Sequence, residues 1–367
     1  MRHTGQRRRG RGYGRWRWIH GWLGLVTGVL LLIQGVTGAL LGYERELRDF
    51  LGDGKRTGTG PRLHPGELVE GLEEELGDGE ARWLLWFGDP GEPVWVSWEA
   101  GAEQISYRLD PWSGEVLAGT TRWHRFFEGV LRIHRNLGTG RPGQVLMGSS
   151  ALILLSLVLT GAVLQVKRSR TLRELLGLRR RQVERSGPAR WRWWHSLLGV
   201  WTTPFLLLLA LTGPVWSFET YRGLLELLTF SETISAEAPQ PGEGNPRTEV
   251  NRKAIIAGAE ALIPETGAMR FLFPATPEKA ARFEWAPLEA PHENFRSRAY
   301  LDPLSGDLLR IEPLADYSRA ESLMRWAYPL HTGRWGGGLT QALTTGASLA
   351  IPFFVLSGLL LYIKRTK

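Results

Sequence analysis

The chain has no cysteine among its 367 residues. Disulfides, thiolate metal sites, cysteine-ligated iron–sulfur clusters and covalent c-type haem attachment are therefore excluded, and any metal must be held by His, Met or oxygen donors. Acidic residues are missing from the first 18 positions, which hold seven arginines. Charge of either sign is missing from four windows, residues 19–43, 145–166, 193–218 and 339–363. A helix needs about 20 apolar residues to cross about 30 Å of hydrocarbon. Each window is therefore long enough to span a bilayer, where a central charge costs about 2.5–3.5 kcal/mol. The overall apolar content of 43% conceals this concentration.

What is present is arranged asymmetrically. Residues 167–192 carry ten Lys and Arg against two Glu, whereas residues 44–130 hold 18 acids against 9 bases and residues 219–326 hold 17 against 12. By the positive-inside rule the basic segments are cytoplasmic. The expected topology has both termini inside and the two long acidic segments outside. The tract RRRGRGYGR precedes a span directly, so it reads as topogenic and not as a nucleic-acid arm; no nucleic-acid partner is expected. The first window exceeds a signal-peptide h-region and lacks an A-x-A exit, so it is expected to remain as an anchor.

The chain repeats itself. RWRWIHGWLG (residues 15–24) returns as RWRWWHSLLG (residues 190–199), and Arg15/Arg190, His20/His195, Gly38/Gly213 and Glu44/Glu219 are each 175 residues apart. His134/His331, Gly161/Gly358 and the pairs Lys167-Arg168 and Lys364-Arg365 are each 197 apart. LDPWSGEVL and LDPLSGDLL recur in the outside segments. The expected plan is a tandem of span, outside domain, span. Each outside segment reads as a small α+β unit. The first has a helix over residues 67–76 and strands at RWLLWF, EPVWVSW and ISYRLD; the second has a helix over 249–263, capped by Thr248 and stopped by Pro264, and strands at MRFLF, ARFEW and SRAYLD. D-P-x-S-G supplies a turn into a last short strand.

Four of the eight histidines sit at span entrances and recur in the repeat: His20 and His195 at the inner side, His134 and His331 at the outer side. Facing imidazoles between helices are the axial ligands of b-type haem, and a helical bundle is a standard place for such a site. Two haems are expected, engaged in electron transfer because both axial positions are filled. His124 is a rival outer ligand. Arg15, Arg17, Arg190 and Arg192 at the inner site, and Arg135, Arg141 and Arg334 at the outer, are candidate contacts for haem propionates, although topology and interface anchoring suffice to account for any one of them and are the first explanation. Gly21, Gly24, Gly28, Gly35, Gly38 and Gly42 share one helix face, suited to a flat cofactor or to close helix packing. Gln34 in mid-span is expected to hydrogen-bond between helices. Five tryptophans, at 83, 86, 95, 98 and 112, are available either as an aromatic ligand surface or for packing in a small β unit.

R-x-x-H-x-W-x-G-L-x-x-G (residues 17–28) with Thr37-Gly38, I-H-R-N-L-G (133–138), W-H-x-x-L-G (194–199) with Thr212-Gly213, P-L-H-T-G-R (329–334) and the two D-P-x-S-G turns resemble the PepSY-associated transmembrane family of bacterial inner membranes. That family includes iron-regulated membrane proteins and ferric-siderophore reductases. The resemblance implies a four-span α-helical membrane protein with two periplasmic α+β PepSY-like domains. The expected boundaries are a cytoplasmic N-terminus (1–18), spans at 19–43 and 193–218, PepSY-like domains at 44–122 and 219–322, outer-histidine segments with their spans at 123–166 and 323–363, a basic loop at 167–192 and a cytoplasmic tail at 364–367. It also implies an oxidoreductase with two haem b groups on His20, His195, His134 and His331, reducing a ferric siderophore or other ferric chelate. No flavodoxin-like or ferredoxin-reductase module follows the fourth span, so the expected donor is a separate cytoplasmic reductase or a membrane quinol. The alternative is a membrane-anchored PepSY binding or regulatory module without redox activity. A permease is disfavoured by the lack of a mid-membrane carboxylate.

Overall fold

The computed structural model describes residues 4–53, 58, 60–88, 91–117, 122–178, 187–231, 238–241, 249–263 and 267–366. Thr248 and Pro264, the expected helix signals, lie outside the described residues. The chain forms two compact units, one of Met1–Glu44, Phe127–Leu225 and Trp326–Lys367, the other of Arg45–Phe126 and Glu226–Arg325.

The first unit is helical. Helices α1 (Thr4–Gly42), α4 (Arg141–Arg168), α5 (Pro188–Thr212) and α9 (Gly337–Thr366) contain the charge-poor windows. Four segments, Gly12–Gly42, Arg141–Arg168, Pro188–Trp216 and Arg334–Lys364, are long and apolar enough to cross a membrane. The chain is a multi-pass membrane protein. Leu31, Leu154, Leu206, Ala210, Ala347 and Ile351 bring all four helices to one core. Gln34 bridges α1 and α4 as expected, donating to the Met147 carbonyl at 2.9 Å and accepting from Ser150 Oγ at 2.9 Å.

The glycine face of α1 divides in use. A Cβ on Gly35 would lie 2.7 Å from Pro352 Cδ and 2.9 Å from the Ser348 carbonyl, and one on Gly28 would lie 3.2 Å from Val355. Pro352 has no N–H for the Ser348 carbonyl four residues back, and Gly35 lets α1 approach α9 closely at that point. Gly42 meets Thr345 in the same way. These three glycines serve helix packing and not a cofactor. Gly21 has nothing within 4 Å and Gly24 only Leu157 at 3.8 Å, so space is open beside His20, as it is at Gly199, four residues after His195.

The second unit is a single antiparallel sheet with strand order β3-β2-β1-β4-β5-β6-β7, built from β1 (Glu80–Trp86), β2 (Val94–Ala100), β3 (Glu103–Leu109), β4 (Met269–Leu272), β5 (Ala281–Trp285), β6 (Ser297–Leu301) and β7 (Leu308–Glu312). The sequence places an α+β unit in each outside segment; in the structure the strands of both are joined where β1 pairs with β4, from Trp83↔Leu272 to Trp86↔Met269. An open strand edge is an unsatisfied row of hydrogen-bonding groups, and three short strands bury little by themselves. Joining them gives one core, in which Leu84, Phe271, Phe283 and Ala299 pack with Leu68, Val69 and Leu72 of α2 (Pro65–Leu76) and Ile255, Ile256 and Ala259 of α7 (Arg252–Ala259). His64 caps α2 and Asn251 caps α7.

Both D-P-x-S-G turns close alike. Asp110 Oδ1 accepts from the backbone of Trp112 and Ser113, Asp302 Oδ1 from Leu304 and Ser305, and Gly114 and Gly306 take φ of 72° and 78°. A full strand β7 follows the second turn, whereas among the described residues a bridge, Leu109↔Val116, follows the first. Trp86, Trp95 and Trp98 are buried, which favours packing over an aromatic ligand surface at those positions.

Candidate functional site

The four repeated histidines form two pairs within the helical unit. His20 of α1 faces His195 of α5 with ring centres 6.3 Å apart. His134, near the end of α3 (Arg122–Asn136), faces His331 of α8 (Arg319–Thr332) with ring centres 6.2 Å apart. The inner pair is therefore carried by crossing helices. The outer pair is carried by helices that precede α4 and α9, and glycine turns make the connection: Gly138 and Gly140 have φ of 73° and 72°, Gly333 has φ of 76°, and Leu137 enters the same region at 55°.

Each ring rests on a hydroxyl followed by a glycine. His20 Nδ1 lies 2.8 Å from Thr160 Oγ1, His134 Nδ1 2.9 Å from Thr37 Oγ1, His195 Nδ1 2.7 Å from Ser357 Oγ and His331 Nδ1 2.8 Å from Thr212 Oγ1. The glycines that follow are 161, 38, 358 and 213, and a Cβ on each would lie 3.4, 3.2, 4.0 and 3.7 Å from Cε1 of the same ring. Phe354 packs against His195 at 5.1 Å and Trp216 against His331 at 5.4 Å.

Each of the four histidines is half-buried as a residue. His134 and His331 lie outside the membrane-crossing segments. Burial, with Arg135 beside it, pushes the His134 imidazole down to about 4; burial, with His134 opposite, pushes His331 down to about 3. Both rings are neutral at pH 7, the form that donates a lone pair to a metal. Among the described residues no group of three or more His, Asp and Glu is placed to hold a metal ion. Each pair therefore offers two donors.

His124 is not in either pair; its ring packs on Trp95 at 4.5 Å. Arg15, Arg17, Arg190, Arg192 and Arg135 are exposed and Arg334 is half-buried. Arg141 donates to the Ser217 carbonyl at 3.3 Å and to Gln144 at 3.1 Å. A cleft of about 890 Å³ is lined by Gly12, Gly14, Arg15, Trp18 and Ile19 and contains none of the four histidines.

Sequence reasoning about ligands passed over the hydroxyls. Their signal was legible in the repeat, since Thr37-Gly38 returns 175 residues on as Thr212-Gly213 and Thr160-Gly161 returns 197 residues on as Ser357-Gly358, whereas Thr27-Gly28 and Thr345-Gly346 have no counterpart at those offsets.

Four membrane-crossing helices, two facing histidine pairs of which one lies on crossing helices and the other on the helices that precede them, and an antiparallel sheet in a second unit define a membrane protein with two imidazole sites. The family model for the PepSY-associated TM region matches residues 17–365, and the chain belongs to that family. No curated protein matches it.

Proposed function

We propose that the protein is a dihaem b electron-transfer protein of the bacterial inner membrane, with both termini cytoplasmic, that reduces a ferric siderophore or another ferric chelate in the periplasm. The observation that carries this reading is the ring spacing. An imidazole nitrogen binds a metal at about 2.0 Å, and it lies roughly 1.1 Å from its ring centre for ring bonds near 1.33 Å. Two imidazoles on opposite sides of one iron thus have centres about 6.2 Å apart. The two pairs stand at 6.3 and 6.2 Å. Rings that share one axis through a metal can adopt any twist about it, so interplanar angles of 81° and 63° are compatible with this spacing. Two imidazole donors per site is the number that a b-type haem takes from the protein.

A haem with both axial positions filled supplies one-electron transfer and leaves no open position for O₂. The residues of the chain do the rest. His20 and His195 would hold the inner haem, and His134 and His331 the outer. Gly21 and Gly24 leave space beside His20. Arg15, Arg17, Arg190 and Arg192 stand at the inner ends of the helices, and Arg135 and Arg334 near the outer pair, as guanidinium partners for propionates. Each ferric chelate takes one electron to become Fe(II), supplied by a separate cytoplasmic reductase or a membrane quinol.

Full-length protein purified from haem-replete cells should contain two haems per chain, with a Soret band and sharp α and β bands on dithionite reduction. Reduced protein in nanodiscs should then convert a ferric chelate to Fe(II) captured by a ferrous-specific dye. Colourless protein overturns the reading. It would favour a second one, a membrane-anchored PepSY binding or regulatory module, in which the imidazole–hydroxyl bonds serve only to join helices.

A further inference from the structure

The four hydroxyls beside the histidines are bound on both sides. A hydroxyl has one proton to give and two lone pairs. Thr37 Oγ1 donates to the Ile33 carbonyl at 2.6 Å, Thr160 to Ser156 at 2.7 Å, Thr212 to Leu208 at 2.6 Å and Ser357 to Phe354 at 3.3 Å. With that proton committed to the backbone, each oxygen meets its histidine as an acceptor. Nδ1 must then carry the N–H, and a neutral imidazole with its proton on Nδ1 leaves Nε2 bare. The glycine after each hydroxyl keeps a side chain off the Cε1 edge of the ring.

We propose that Thr37, Thr160, Thr212 and Ser357 are positioning residues: each fixes its histidine as the Nδ1–H tautomer so that Nε2 faces the iron, and its hydrogen bond tunes the potential of that haem. The proposal rests on the dihaem reading. Donation from Nδ1–H makes a ligating imidazole more basic, which favours Fe(III). Removing the acceptor therefore raises the potential of the affected haem. The pairing is selective, because Thr37 and Thr212 serve the outer histidines while Thr160 and Ser357 serve the inner ones. The Ser357 proton is held at 3.3 Å, against 2.6 to 2.7 Å for the threonines, so Ser357 is the loosest of the four seats.

The test is an equilibrium redox titration of the full chain in nanodiscs, read at the α band. Thr37→Val with Thr212→Val should move one of the two couples upward, by about tenfold in its reduced-to-oxidised ratio at fixed potential, or about 59 mV for one electron. Thr160→Val with Ser357→Ala should move the other couple. The variant Thr37→Ser with Thr212→Ser retains the acceptors and should return the first couple to its wild-type value. Two bound haems with unchanged potentials in both valine-containing variants overturn the proposal and leave the dihaem reading standing. Loss of the outer haem in the valine variant that serine does not repair also overturns it, since the threonines then act by shape. A wild-type chain without haem fails the dihaem reading, and this proposal with it.

Discussion

The inner and outer histidine pairs have nearly the same ring spacing, 6.3 and 6.2 Å, but are built from different parts. His20 and His195 project from α1 and α5, and their hydroxyl partners come from α4 and α9. His134 and His331 belong to helices outside the crossing set, and their partners come from α1 and α5. Helices α1 and α5 thus carry an inner histidine near one end and an outer hydroxyl near the other. A site held on continuous helices is positioned by the bundle itself, whereas one held beyond a turn depends on that turn. The outer pair should be the easier of the two to disturb.

Removing ligands has the largest expected effect. His20→Ala or His195→Ala should lower the haem-to-protein ratio from two to one and spare the outer couple, and His134→Ala or His331→Ala should do the reverse, as measured by a haem extraction assay and redox titration. If any one substitution removes both haems from folded protein, the two pairs are not independent sites.

The glycine seats come next. A Cβ at Gly38 would lie 3.2 Å from His134 Cε1 and 2.8 Å from Ser348 Oγ, but one at Gly358 would lie 4.0 Å from His195. Overpacking costs about 1–3 kcal/mol. Gly38→Ala should therefore lower occupancy of the outer haem and melting temperature, and Gly358→Ala should leave both near wild type. Equal effects would mean that the outer site is no more tightly seated than the inner.

Turn geometry separates the sites further. Gly333 has φ of 76°, and a Cβ there would lie 2.7 Å from the Thr340 carbonyl. Left-handed backbone costs an alanine about 1–2 kcal/mol. Gly333→Ala should broaden the electron paramagnetic resonance signal of the outer haem and leave the inner signal unchanged. The smallest effect is expected from Gln34, which joins α1 to α4 between the pairs. Gln34→Ala should reduce stability by about 0.6–1.7 kcal/mol in a thermal melt, with both haems retained.

Much of this was readable from residue order, though unevenly. The windows at 19–43, 145–166, 193–218 and 339–363 match four crossing helices within a few residues, because length and freedom from charge are properties of contiguous sequence. The strands around RWLLWF, ARFEW and SRAYLD were legible from local alternation. The extra helical turns of α1 before residue 19 were not, since a basic, glycine-containing tract has no apolar stripe to announce them. The glycine stripe allowed two uses, and only the position of Pro352 against Gly35 assigned it to helix packing there.

By itself, then, the order of residues determined the spans, the duplicated motifs and which histidines recur, because hydropathy, charge and repetition act along the chain. It could not decide which imidazole faces which, that His134 and not His124 stands opposite His331, or that β1 joins β4 into one sheet. Those contacts bring together residues 175 to 197 positions apart, and only packing sets them. His134 meets Thr37 across 97 residues and His331 across 197, at distances fixed by how closely glycine-bearing helices approach. The pattern named the four histidines; the fold decided the pairs.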